Sequence, residues 1–213
     1  MQESIVAECE QVDAEYKAAQ DKIKDCKEQI ETLFSESQKN AKDIYKLSDS
    51  EIFDVSIGRR ILNSEVSEEY DIPVFSANVF EPFGKINKLL IKDFSVDSIL
   101  WGIDGDWMVN VIQKNIQFYP TDHCGVLRIK NNRLEPKYVA WVLNKEGEKA
   151  GFKRSYRASV DRIEGLVLTL PPLPEQERIV KEITAIEEES SLCKKQMQGA
   201  PSKKQAILDK YLK

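Results

Sequence analysis

Residues able to do covalent or metal chemistry are sparse in this chain of 213 residues, and the few present are poorly spaced for it. The single histidine, His123, has no plausible Ser or Cys partner nearby in sequence to activate as a nucleophile, so it reads as a hydrogen-bonded turn residue. Asp122 followed by Glu135-Pro136-Lys137 has the order of a metal-dependent nuclease, with carboxylates to hold a cation. Pro136 and Lys137 are already accounted for as the start of a helix, so no metal site is expected. There is no glycine-rich nucleotide loop, and no Asn-Pro-Pro-Tyr or Asp-Pro-Pro-Tyr motif of the kind adenine methyltransferases place around a flipped base. Cys9, Cys26, Cys124 and Cys193 form no CxxC pair. On one helix Cys9 and Cys26 would stand about 25 Å apart, beyond disulfide reach, so reduced thiols are expected. The sequence therefore calls for no catalytic residue, no metal and no cofactor.

What remains is ionic chemistry. The net charge of −5 is unpromising for a nucleic-acid binder, but it is unevenly spread. Residues 1–44 hold six Lys/Arg against eleven Asp/Glu, residues 45–172 seventeen against eighteen, and residues 173–213 eight against seven. The acidity belongs mainly to the first segment. Between Lys145 and Arg162, Lys145, Lys149, Lys153, Arg154, Arg157 and Arg162 outnumber Glu146, Glu148 and Asp161, a local basic excess suited either to phosphate or to a solvated face.

The elements that must position these groups are legible from periodicity. Ile5, Cys9, Val12, Tyr16, Ala19, Ile23, Cys26, Ile30 and Leu33 alternate in steps of four and three with charges between, the seam of a coiled coil. Ile179, Ile183, Ile186, Ser190, Cys193, Met197 and Ala200 repeat the spacing, and Ile207 and Tyr211 continue it. Gly199-Ala200-Pro201 predicts a kink or short loop before a last helix over Ser202 to Leu212. Between the arms, Ile72-Pro73-Val74-Phe75, Ser98 to Ile103, Met108 to Ile112 and Cys124 to Ile129 read as strands separated by Gly, Asp and Asn turns. Pro136 to Asn144 reads as a helix with Tyr138, Trp141 and Val142 on its inner face. Trp101, Trp107 and Trp141 are expected in the core. At 41% hydrophobic and 31% charged residues the chain can bury one sizeable core besides the helices. No apolar run is long enough to cross a bilayer and no signal peptide is recognisable, so a cytoplasmic location without membrane contact is expected.

Thr169-Leu170-Pro171-Pro172-Leu173-Pro174-Glu175-Gln176-Glu177-Arg178-Ile179-Val180 joins the strand-like Gly165-Leu166-Val167-Leu168 to the second arm. Proline in a first helical turn costs little, and Glu175 and Glu177 suit the positive end of the helix dipole. This wording resembles the domain-to-helix junction in the DNA-specificity subunits of type I restriction-modification systems. The likeness extends over nearly the whole chain. Leu47-Ser48-Asp49 with Ser56-Ile57-Gly58-Arg59-Arg60-Ile61 is similar to the opening of that family's recognition domain, and Ile72 to Val79 to its next strand and turn. Ile99 to Gly105 resembles its glycine-marked hairpin, and Leu134 to Leu143 its late helix.

The resemblance implies an α+β chain: a mixed α/β target recognition domain over residues 45–172, flanked by long coiled-coil helices over 1–44 and 173–213. It implies a non-catalytic subunit that reads one half of a bipartite target in double-stranded DNA. Its helices would dock methyltransferase (modification) subunits and, through them, a restriction subunit. Family members generally carry two recognition domains, whereas one is present here. The chain is therefore either a half-subunit that pairs with a second copy or another half-subunit, or a piece of a longer chain. Ile5 to Leu33 spans roughly 40 Å, close to the roughly 34 Å between half-sites one turn apart on DNA. Base readout needs Arg, Lys, Asn, Gln or Ser on loops that enter the major groove. The candidates are Arg59, Arg60, Ser76, Asn78, Lys85, Lys88, Lys153, Arg154, Ser155 and Arg157. The helix-pairing residues expected are Ile5, Val12, Tyr16, Ile23, Ile30, Leu33, Ile179, Ile183, Ile186 and Met197. The arms alone would equally suit a coiled-coil scaffold carrying a globular protein-binding domain.

Overall fold

The structure, a computed structural model, describes residues 2–211 and comprises two compact units, residues 1–39 with 178–213, and residues 40–177.

The first unit is a pair of helices, α1 (Gln2–Gln38) and the greater part of α4 (Leu173–Tyr211). They run antiparallel, as the ion pairs between them require: Lys210 with Glu8 at 3.0 Å, Lys203 with Glu15 at 3.0 Å and Lys22 with Glu189 at 3.1 Å. Val12, Ala19, Cys26, Ile179, Ile183, Ser190 and Ala200 are buried, at the heptad positions the sequence predicts. Ile5, Ile23, Ile30, Leu33, Ile186 and Met197 are half-buried. Tyr16 departs from the expected seam and is 40% exposed. It lines an open groove with Val12, Ala19, Cys193 and Ala200, where small side chains leave its ring on the flank.

Two helix boundaries differ from the sequence reading. α1 stops at Gln38, because Asp43 and Ile44 are drawn into a strand, β1 (Asp43–Lys46). α4 continues through Pro201 without a loop. The proline removes one backbone donor, but beyond it Lys203, Lys204, Lys210 and Tyr211 are tied to Glu15, Asp13 and Glu8 of α1, which hold the last turns in the helix. Leu212, the expected end of that helix, lies outside the described residues.

The second unit is built mainly on antiparallel pairing, with one parallel pair where Val74 meets Tyr119 and Phe75 meets Pro120. Four strands, β2 (Phe53–Ile57), β5 (Ser98–Gly102), β6 (Val109–Ile112) and β8 (Cys124–Ile129), lie in the order β2-β8-β5-β6. All five residues of β5 are buried, as befits a central strand covered on both faces. Phe75, Val79, Leu100, Phe118, Cys124 and Val126 form one core cluster. A second sheet orders β4 (Gly84–Ile86), β3 (Ile72–Phe75) and β7 (Tyr119–Pro120), with Val74, Ile86 and Tyr119 packed together. A third joins β1 to β9 (Val167–Leu170), pairing Asp43 with Leu170, so the chain enters and leaves this unit at one place.

α2 (Pro136–Ala150) packs against β5, β6 and β9 and buries Tyr138, Val139, Ala140, Val142 and Leu143. Trp141, expected on that inner face, is only half-buried. Trp101 is fully buried, its indole N–H donating to the Ala158 carbonyl at 2.9 Å, and Trp107 is half-buried. A short helix, α3 (Val160–Glu164), interrupts what the sequence leaves as loop. All four cysteines are free thiols, and burial pushes that of Cys124 up to about 12.

At the junction, Gln176 is buried at 1% exposure. Its side chain donates to the Pro171 carbonyl at 2.7 Å and accepts from the Glu135 backbone N–H at 3.0 Å. Glu135 in turn caps α2 by accepting from Tyr138 N–H at 2.8 Å. The proline-rich wording is thus a clasp: one amide side chain ties the start of α4 to the start of α2.

Candidate nucleic-acid interface

Antiparallel pairing determines which loops share one end of the four-stranded sheet. Ile57 pairs with Gly125 and Gly102 with Cys124, so the segments after β2, after β5 and before β8 emerge together. Arg59 follows Gly58, where an added Cβ would lie 2.0 Å from the Pro120 carbonyl oxygen, so only glycine allows that approach. Arg59 N–H then donates to the same carbonyl at 3.1 Å. The 76–78 turn is drawn in by Thr121, whose backbone N–H donates to Phe75 and whose hydroxyl donates to Ser76 Oγ at 3.2 Å. Gly102 packs against it so closely that a Cβ would meet the Ala77 carbonyl oxygen at 2.4 Å. The segment before α3 joins through Ala158 N–H, which donates to Ile103 at 2.9 Å.

Hydrogen bonds and ion pairs divide the expected contact residues. Arg157 donates to Asp104 at 3.3 Å, and His123 Nδ1 lies 2.9 Å from the same carboxylate. Asp122 is 3.8 Å from the other ring nitrogen. Lys88 is paired with Glu65, which raises the lysine and lowers the carboxyl, and it lies 5.7 Å over the Tyr119 ring. Lys85 reaches the Glu68 carbonyl at 3.4 Å and its carboxylate at 3.7 Å. Asn78 accepts from Phe80 and Glu81 N–H through its side-chain oxygen, fixing its own turn. Lys145 and Lys149 are paired along α2 with Glu148 and Glu146.

Four of the expected cations stand apart from these pairs. Arg59, Arg60, Lys153 and Arg154 are exposed and have no side-chain hydrogen bond or ion pair among the described residues. Ser155 is exposed beside them. Asp104 escapes a reading of the sequence because its partners His123 and Arg157 are 19 and 53 residues away, a separation no local spacing reveals.

The nuclease-like pattern is not assembled. Asp122 precedes β8 and Glu135 lies beyond its other end, so the length of a six-residue strand, about 17 Å at about 3.3 Å per residue, separates them. Glu135 is occupied in capping, its pKa raised by burial. Among the described residues no cluster of His, Cys, Asp and Glu is arranged to hold a metal ion, and no helix is long and apolar enough to cross a membrane.

Known proteins agree with this architecture. The chain is 28% identical over 156 residues to a Mycoplasma pneumoniae protein named as type I specificity subunit S.MpnORF285P, covering 71% of this chain and 50% of that one. It is 27% identical over 155 residues to the type I restriction enzyme MpnII specificity subunit of the same organism, covering 71% and 46%. The chain thus spans about half the length of these relatives. Among solved structures, the HsdS subunit from Thermoanaerobacter tengcongensis superposes with a TM-score of 0.65 at 20% identity, covering 97% of this chain and 56% of that one. The type I restriction-modification S subunit from M. genitalium gives 0.63 at 16%, covering 97% and 59%. The sequence model of the type I restriction modification DNA specificity domain matches residues 42–199, and the chain belongs to that family.

Proposed function

We propose that residues 40–177 read one half of a bipartite target in double-stranded DNA for a type I restriction-modification complex. The observation that carries this reading is the set of uncommitted cations Arg59, Arg60, Lys153 and Arg154 on segments tied to one end of the sheet. Exposed guanidinium and ammonium groups without protein partners can grip phosphate or a base edge at no cost in broken ion pairs. Ser76 and Asn78 sit on the same end and would add short polar contacts, whereas Lys85, Lys88 and Arg157 hold the surrounding loops.

The helix pair is the docking element. Part of its seam is only half-buried, at Ile5, Ile23, Ile30, Leu33, Ile186 and Met197, and its flank is open at Tyr16, which suits a further helical surface from a modification subunit, with the restriction subunit recruited through it. A second copy, another half-subunit or the rest of a longer chain would supply the other half of the target. The chain itself performs no catalysis and acts in the cytoplasm on DNA.

The test is selection of duplexes from a random library by the full chain, followed by binding at several salt concentrations. The expected outcome is a consensus sequence and an affinity that falls steeply with salt, because phosphate contacts release counterions. Absence of DNA binding together with capture of a protein partner by the globular unit would favour the scaffold reading instead.

A further inference from the structure

The turn between α2 and α3 is built more rigidly than a connecting loop requires. Lys153 and Tyr156 exchange two backbone hydrogen bonds, Lys153 N–H to Tyr156 at 3.1 Å and Tyr156 N–H to Lys153 at 2.9 Å. Arg154 and Ser155 are left as the two tip residues. Tyr156 stacks on Phe152 with ring centroids 5.8 Å apart and planes 20° from parallel. The Arg162 guanidinium lies 4.0 Å from the centre of the Tyr156 ring and also donates to the Arg157 carbonyl at 2.7 Å. Phe152 is buried and packs on Trp107 at 5.1 Å, and the Trp107 indole N–H donates to the Asn144 carbonyl at 2.9 Å. A continuous brace therefore runs from α2 to the turn, yet Tyr156 stays 42% exposed and nothing among the described residues engages Arg154.

A brace of this kind lowers the conformational entropy lost on binding and fixes a side chain's direction of exit. Phosphate binding, which tolerates many geometries, has no need of it. Readout of a base edge does, because the arginine fork must meet both O6 and N7 of guanine. We propose that Arg154 reads a guanine in the major groove and that Tyr156, clamped by Phe152 and Arg162, is the positioning residue that aims it. This rests on the DNA-reading function proposed above and names the element that confers part of its specificity.

The experiment uses the full chain and a duplex selected by it from a random library, together with single-mismatch variants of that duplex. Arg154→Ala should weaken binding to the selected duplex by about 5- to 150-fold and abolish discrimination at one G·C pair. Arg154→Lys keeps the charge but not the fork and should not restore discrimination. Tyr156→Ala should relax discrimination at that same pair, whereas Tyr156→Phe, which keeps the stacked ring, should retain it. A uniform loss on every duplex for Arg154→Ala, recovered equally on every duplex by lysine, would make Arg154 a phosphate contact and overturn the proposal. Unchanged discrimination in Tyr156→Ala would remove the positioning role. A wild-type chain that selects no consensus would overturn the DNA-reading function itself, an outcome distinct from either.

Discussion

At the scale of single residues, the positions that matter most for structure are those whose partners are distant in sequence. Gln176 satisfies the Pro171 carbonyl and the Glu135 N–H at once. Gln176→Ala leaves the buried Pro171 carbonyl and the half-buried Glu135 N–H unpaired and should lower stability by roughly 1–3 kcal/mol, read from the urea midpoint at unchanged slope. The sequence displays Gln176 within a conspicuous proline-rich run, but its bond to Glu135, 41 residues away, is visible only in the fold. The same holds for Asp104, which gathers His123 and Arg157. That His123 is a hydrogen-bonded turn residue is legible from its setting; the identity of its carboxylate partner is not. Basic candidates separate for a similar reason. Lysine and arginine look alike in a sequence whether an acid lies beside them in space or not, and Glu65 and Glu68 occupy Lys88 and Lys85 through a segment no periodicity connects to them.

Secondary-structure elements are more transparent, because their periodicity is local. The strands Ile72–Phe75 and Cys124–Ile129 have the bounds the pattern predicts, and the heptad ladder marks most buried positions of the long helices, with Phe34, Ser37 and Gln176 buried off it. Very short strands, Gly84–Ile86 and Tyr119–Pro120, carry too few residues for an alternating pattern and exist because of their neighbours. Pro201 shows the opposite failure: a strong local breaker lies inside α4, where the preceding Ala200 is buried and the following residues Lys203, Lys204, Lys210 and Tyr211 are bonded to α1. In the helix pair, Ala19→Asp puts a charge at a position 4% exposed and should cost more than about 3 kcal/mol, whereas Ile23→Asp at a half-buried position should cost less; helical circular dichroism during urea unfolding separates them. The ion pairs also predict a pH window. Hydrogen bonds from Tyr211 and Lys210 lower Glu8, and that from Lys203 lowers Glu15, so their contribution is present above the ordinary carboxylate range and is lost as pH falls through the folded values. Glu189 raises Lys22 and Glu8 raises Lys210, so theirs is present below the ordinary lysine range and lost as pH rises through the folded values. Helix pairing should weaken at both extremes, and Glu8→Gln should flatten the acid limb of a plot of urea midpoint against pH.

On the scale of the whole molecule, an acidic chain can bind DNA because charge is distributed by function. The acidic surplus lies on the first helix, where lysines of α4 meet it, while the globular unit is nearly neutral and leaves its uncommitted cations at one end. Replacing Arg59 and Arg60 together by alanine should weaken DNA binding and make its dependence on log salt shallower by roughly one unit for each phosphate that these side chains neutralise. That this chain directs a type I complex to a DNA sequence is tested most directly by reconstituting it with type I modification subunits and mapping the methylated sites by sequencing. The expected result is methylation confined to one consensus that shifts or disappears when Arg59, Arg60, Lys153 and Arg154 are replaced together. Methylation at the same sites with and without this chain would contradict a recognition role.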